Sequence, residues 1–223
     1  MTKKDAWAIG DVHGCSMELS ALLARIDAHG PAKVYLVGDL YTKGPDPAGV
    51  WDLIRRRKLR AVLGNHDLRL LAALDGERRR DAHAHRVVEA LDRSDPRWRD
   101  HLRATPLFRE TRGWTLVHAS VHPTGDLART RRKDFVARRR FPTDRAPAPF
   151  WWSVYEGQRR VVFGHDAARG LIEVHRDGQL LLAGLDTGCV YGGRLTAMRL
   201  SDGHLEQVPA ARAYEPVVRR PAQ

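Results

Sequence analysis

GDVHG at 10–14, GDLYTKGP at 38–45 and GNHD at 64–67 are the stretches that decide how this chain folds. Each ends a short apolar run, Trp7–Gly10, Val34–Val37 and Arg60–Leu63, of the kind that forms a buried strand. Between the runs lie two helical patterns. Met17–His29 places Leu19, Leu22, Leu23 and Ile26 on one face, and a segment starting at Pro45–Pro47 carries Val50, Trp51, Leu53 and Ile54. The order β-α-β-α-β predicts a mostly parallel sheet with right-handed crossovers, and such sheets place ligands beyond the carboxyl ends of their strands. Asp11, His13, Asp39, Asn65 and His66 all fall on those loops.

Working outward, residues 67–104 read as a helical cap broken at Asp95-Pro96, and Leu107–Glu110 with Trp114–Val117 as a hairpin turning at Arg112-Gly113 and delivering His118. Residues 122–149 are loop-rich, interrupted by Pro123, Pro142, Pro147 and Pro149. Further strands are expected at Arg160–Phe163, Leu180–Leu185 and Leu195–Leu200, and an extended surface arm after Pro209. With 223 residues the chain fits a single domain, 1–223, large enough to bury a core without staples.

No apolar run approaches the length that spans a bilayer, and the first residues lack the hydrophobic stretch of a secretory signal, so a cytoplasmic protein with no membrane partner is expected. Cys15 and Cys189 are too few for a disulfide framework. A formal charge of +11 suits polyanionic ligands. Basic clusters at Arg55–Arg60, Arg78–Arg80, Arg129–Lys133 and Arg138–Arg140 carry it, and each is also consistent with solvated surface.

The chemistry lies in the acidic motifs. Asp11 and His13 are two apart, so in an extended segment both side chains face one way and offer a hard oxygen and an imidazole to one ion. Asp39, with two carboxylate oxygens, suits a bridge between two ions. Asn65 adds a neutral oxygen, and His118 (in VHAS, 117–120) and His165 (in FGHD, 163–166) add nitrogens. Mixed N/O sets of this kind fit two divalent ions, Mn first, with Fe, Zn, Co or Ni as substitutes. Two ions roughly 3.5–4 Å apart would share a hydroxide that attacks phosphorus in line. His66, adjacent to Asn65, projects differently and would protonate the leaving oxygen. Lys43 and one or more of Arg138, Arg139 and Arg140 would neutralise the transferring phosphoryl group, with Asn65 also touching substrate.

The ordered set GDVHG, GDLYTKGP, GNHD, VHAS and FGHD resembles the phosphoprotein-phosphatase superfamily of calcineurin-like metallophosphoesterases. VVFGHDAARGL at 161–171 and GLDTGCVYGGRLTAMRL at 184–200 resemble the ApaH branch, the bacterial diadenosine tetraphosphatases and their ApaH-like relatives. The resemblance implies an α/β fold, a metallophosphoesterase β-sandwich of two mixed sheets flanked by helices in four α/β/β/α layers, with a helical cap. It implies Asp11, His13 and Asp39 on one metal; Asp39, Asn65, His118 and His165 on the other; and His66 as general acid. One departure stands out: Thr42-Lys43 replaces the Asp-Arg usual before the glycine of the second motif, so Asp67 or a backbone carbonyl would have to steady His66. Lysine is also a point charge where arginine offers a planar fork.

Two activities follow from such a site. One is hydrolysis of a phosphoanhydride in a small anionic substrate, a dinucleoside polyphosphate or related nucleotide or polyphosphate, with RNA caps among the relatives' substrates. The other is a Ser/Thr or Tyr protein phosphatase acting on a phosphoprotein. A nucleotide enzyme needs a stacking surface, for which Trp151, Trp152, Tyr155 and Tyr191 are candidates. Binding of RNA without catalysis is disfavoured by the intact His66 and full ligand set.

Overall fold

A computed structural model describes residues 5–76 and 81–216. The basic cluster at 78–80 and the last residues of the expected arm, 217–223, lie outside the described residues. The first half runs β1 (Asp5–Ile9), α1 (Ser16–Ala28), β2 (Ala32–Leu36), α2 (Pro47–Arg57) and β3 (Arg60–Ala61). The cap follows as α3 (Asn65–Leu74), α4 (Ala82–Ser94) and α5 (Trp98–Ala104). The second half contains β4 (Phe108–Thr111), β5 (Trp114–Val117), α6 (Arg132–Ala137), β6 (Arg160–Phe163), β7 (Ile172–Arg176), β8 (Gln179–Gly184), β9 (Arg194–Arg199) and β10 (Leu205–Pro209).

The strands form two five-stranded mixed sheets, ordered β10-β9-β1-β2-β3 and β4-β5-β6-β8-β7. In the first, β1 pairs in parallel with β2 and β2 with β3, while β9 runs antiparallel to β1. In the second, β5, β6 and β8 are parallel, with β4 and β7 antiparallel at the edges. Alternation along β1 explains the layering. Trp7 and Ile9 join a core with α1 and α2, whereas the small Ala6 and Ala8 face the second sheet beside Tyr35, Leu116, Val162 and Ala183. On the far side of the second sheet, Val117, Val161 and Phe163 pack against Phe135, Val136 and Trp151. Fully burying side chains of this size is worth about 1.5–3 kcal/mol each, so three separate apolar layers hold the sandwich closed.

Local chemistry sets the ends of α2: Asp46 accepts from the Gly49 N–H at 2.8 Å, Pro47 opens the helix, and Lys58 closes it in a left-handed conformation. The strands β7 and β10 were not expected from the sequence. Both are sheet edges with polar residues interspersed, IEVHR and LEQVP, so one face is only half covered and the apolar signal is weak. α6 was likewise hidden, in a proline-interrupted segment. The described part of the expected surface arm is docked: the Tyr214 N–H donates to the Val190 carbonyl, and Ala213 bridges to Tyr191. No helix among the described residues is long and apolar enough to cross a membrane.

Candidate active site

The five motif loops converge at one end of the sandwich. Their approach is so close that glycine is required: a Cβ on Gly64 would lie 2.1 Å from Asp39 Oδ1, and one on Gly164 would lie 2.0 Å from Asp11 Oδ1. The glycines of GNHD and FGHD therefore leave room for the carboxylates of the other two motifs. The loops also carry backbone strain. His13, Asp39, Lys43 and His165 sit at φ of 47°, 53°, 70° and 75°, a left-handed region that costs non-glycine residues of order 1–3 kcal/mol.

The expected donors come together. Asp11, Asp39 and His118 present ligand atoms within 4.8 Å of one another, all buried. Asp39 Oδ2 lies 3.4 Å from His13 Nε2 and 3.5 Å from His118 Nε2, placing one carboxylate oxygen between two groups of donors. Asn65 Oδ1 is 3.0 Å from both His118 Nε2 and His165 Nδ1. The Asp11 carboxylate receives the His165 N–H at 3.1 Å.

Hydrogen bonding fixes the tautomers. His118 Nδ1 donates to the Val37 carbonyl at 2.8 Å, and His165 Nε2 donates to the Ala137 carbonyl at 3.0 Å. Each ring therefore turns a bare lone pair inward, and those two nitrogens are 3.2 Å apart with the Asn65 oxygen beside them. Three acceptors facing one another without a donor repel, and a cation among them resolves the conflict.

The electrostatics agree. Burial lowers His13 and His165 well below the usual imidazole range and His118 to about 4, so all three rings are neutral near pH 7. Burial raises Asp39 and Asp186 to about 6, and burial together with the charges of Asp186 and Asp39 raises Asp11 well above its ordinary value. Crowded carboxylates and neutral imidazoles fit divalent ions in charge and donor type.

His66 lies in the first turn of α3, where its N–H donates to Asp39 Oδ1 at 2.9 Å and its ring meets His13 edge-on at 5.1 Å. It borders an open cleft lined by Thr42, Lys43, Arg69 and His83. Burial, then Lys43 and Arg69, lower its pKa to about 2. Asp67 does not steady the His66 ring. Its carboxylate takes the backbone N–H groups of Asp39, Leu40 and Gly64 at 2.8–2.9 Å, which braces the GDLYTKGP turn.

Lys43 reaches the site, with Nζ 3.1 Å from His13 Nε2 and donating to the Tyr191 hydroxyl at 2.8 Å. Arg138 and Arg140 do not. Arg138 is buried against Asp134 and the Pro142 carbonyl, and Arg140 is bound to the Ala148 carbonyl over the Phe150 ring. Arg139, between them, faces the other way and donates to the His165 carbonyl at 3.0 Å. Alternation along an extended segment turns the middle guanidinium toward the site and its neighbours away. Of the aromatic candidates, Trp151 and Tyr155 are core, and Tyr191 is the one joined to Lys43. Two contributors escaped the sequence reading. Asp186 was visible only as part of a glycine-rich motif, and His83, whose Nε2 accepts the Lys43 N–H at 2.8 Å, looked like any polar residue of the cap.

Comparison with known proteins gives the class. Residues 6–184 match the calcineurin-like phosphoesterase family, so the chain belongs to that family and is a hydrolase of phosphate ester or anhydride bonds that depends on divalent metal ions. Within the family it is similar to the symmetrical bis(5'-nucleosyl)-tetraphosphatase of Bordetella pertussis, 31% identical over 96% of this chain and 99% of the relative. The enzyme of that name from a Janthinobacterium species is 30% identical over 94% and 98%. Among solved structures, a putative diadenosine tetraphosphatase shares 30% identity with a TM-score of 0.79, covering 94% of this chain and 95% of its own. A Sphaerobacter thermophilus metallophosphoesterase at 15% identity and TM-score 0.58, covering 95% and 89%, shares the fold.

Proposed function

We propose that the protein hydrolyses phosphoanhydride bonds of dinucleoside polyphosphates, using two divalent ions of which manganese is the first choice. The position of Asp39 Oδ2 between His13 Nε2 and His118 Nε2 supports this most directly, in a chain matched almost end to end by relatives named for that reaction. Asp11, His13 and Asp39 would hold one ion, and Asp39, Asn65, His118 and His165 the other. Bound there, the ions would polarise the phosphoryl oxygens and lower the pKa of the attacking water.

The chain's own residues do the rest. Lys43, beside His13, and Arg139, beside His165, offset charge on the transferring phosphoryl group. Lys43 is held at its backbone by His83 and at its ammonium by Tyr191, so it reaches substrate already oriented. His66 supplies a proton to the leaving oxygen. In the free site burial, with Lys43 and Arg69 beside it, keeps it neutral, and a polyphosphate carrying several negative charges would offset those two cations as it binds and favour uptake from solvent of the proton that is then donated.

Product analysis tests this reading. Diadenosine tetraphosphate, a capped dinucleotide, long-chain polyphosphate and a phosphopeptide are incubated with manganese-loaded protein at matched concentration. Diadenosine tetraphosphate should turn over faster than the phosphopeptide, giving two ADP, and chelator should abolish the reaction. At low substrate the rate should fall with salt, because the Debye length shrinks from about 30 Å at 0.01 M to about 8 Å at 0.15 M. Rapid phosphopeptide turnover without anhydride cleavage would make the protein a phosphoprotein phosphatase instead.

A further inference from the structure

Directly behind the first motif lies a second cluster of metal-binding chemistry that the Asp/His centre does not use. Cys15, Glu18 and Cys189 present ligand atoms within 4.8 Å of one another, and all three residues are buried at 0%, 3% and 2% exposure. Cys15 caps α1, Glu18 stands in its first turn, and Cys189 comes from the loop between β8 and β9. Both thiols are free.

Glu18 carries the anomaly. Its Oε1 accepts the Tyr214 hydroxyl at 2.7 Å and the Ala211 N–H at 3.0 Å. Its Oε2 is shut away from solvent and has no hydrogen-bond partner among the described residues. An unmatched buried polar atom costs about 1–3 kcal/mol, and more when charged. The start of a helix favours a carboxylate, but that field supplies no donor for the second oxygen.

We propose that Cys15, Cys189 and Glu18 form a structural site for a thiophilic divalent cation, Zn2+ foremost, distinct from the Asp/His centre. Two sulfur ligands and one carboxylate oxygen select zinc over the harder ions suited to the neighbouring site. The bound cation gives Glu18 Oε2 its missing partner. It also fastens three separate segments: the start of α1, the β8–β9 loop that carries Asp186, and, through Glu18 Oε1, the C-terminal segment at Ala211–Tyr214. The site would fix the separation of the Asp11 and Asp186 loops without touching substrate.

Cobalt spectroscopy separates this site from the Asp/His centre, since only a sulfur ligand gives a near-ultraviolet thiolate-to-cobalt charge-transfer band. Metal-free, thiol-reduced full-length protein is titrated with Co2+. The band should develop in the wild type and persist in His165→Asn, which impairs the other centre alone. It should be lost in Cys189→Ser. Glu18→Gln, which keeps an acceptor for Tyr214, should retain the band with affinity weaker by at least about tenfold, the scale seen when groups around a metal are removed. If Cys189→Ser does not fold, the wild-type and Glu18→Gln titrations decide the matter. A wild-type protein with reduced thiols and no band, or a Glu18→Gln protein with unchanged affinity, would overturn the proposal while leaving phosphohydrolase activity unaffected.

Discussion

The loops leaving β1 and β2 bring the site the carboxylates of Asp11 and Asp39, whereas those leaving β5 and β6 bring neutral nitrogen and the loop leaving β8 adds Asp186. Asp11 and Asp39 come from the first sheet in turns that hold His13 and Asp39 at left-handed backbone angles, and Asp67 braces the second of these turns. His118 and His165 come from the second, each ring aimed by a backbone carbonyl rather than by a carboxylate. Burial keeps these imidazoles neutral even though the carbonyl bonds favour the protonated ring, while the buried carboxylates at raised pKa resist charging until a cation is present. The first sheet should therefore govern whether ions bind, and the second where they sit.

The most severe test of that division is Asp39→Asn. It removes the anionic oxygen that lies between both donor groups, so metal content and turnover should fall together, activity dropping to background. Two ions per chain by elemental analysis with near-normal turnover would place the bridge elsewhere. His66→Asn comes next, because it touches protonation and not charge. Metal should be retained, with a loss of about 10²–10⁴-fold on substrates with poor leaving groups and much less on activated aryl phosphates. Equal losses on both would assign His66 to positioning.

The same division explains what was legible in the sequence. Loops of the first sheet are local: Asp11 and His13, or Asn65 and His66, sit within a few residues of the strand that aims them, so spacing alone exposes them. The sandwich followed from resemblance, since strand order among distant segments leaves no local trace. Asp186 and Arg139 were hidden for a related reason. Asp186 reaches the cluster only because β8 packs in the second sheet beside β6. Arg139 belongs to a run of three arginines, and nothing in RRR says which guanidinium turns toward His165 until Asp134 and the Ala148 carbonyl have taken the other two. Asp67, one of the two partners left open for His66, does not serve as one, because helical geometry returns its side chain to the amides of the preceding turn.

A smaller effect is expected at Lys43, which contributes positive charge from the loop between β2 and α2. Hydrogen bonds to charged groups are worth about 1.5–3 kcal/mol, so Lys43→Ala should lower kcat/KM about 10- to 100-fold with metal retained. Lys43→Arg should recover part of this through a bidentate contact, although its fork cannot keep the Tyr191 bond unchanged. Unchanged kcat/KM in the alanine variant would remove Lys43 from the site.

Asp67 gives the finest test, because it separates support of the charged loops from the charge itself. In Asp67→Asn one oxygen survives as an acceptor, but an amide N–H2 must then face a backbone N–H, at a cost of about 1–3 kcal/mol. The sign of the pH dependence follows from the raised value. Burial first, and the neighbouring Asp39 second, hold Asp67 at about 6 in the folded protein, against 3.8 for the ordinary group. Between those values the folded state binds the proton that the unfolded chain has released, so this contribution is full below the lower value and is lost as pH rises through the upper one. Asparagine has nothing to titrate. Chemical denaturation of the metal-free proteins should show wild type ahead of the variant at pH 4, the gap shrinking by at most about 1.4 kcal/mol per pH unit and levelling off about one unit above the folded value. A gap that widened toward neutral pH would mean that the three amides hold the Asp67 anion more strongly than burial and Asp39 oppose it. The turn carrying Asp39 would then be anchored by charge as well as shape, and the contrast between the two sheets would be sharper still.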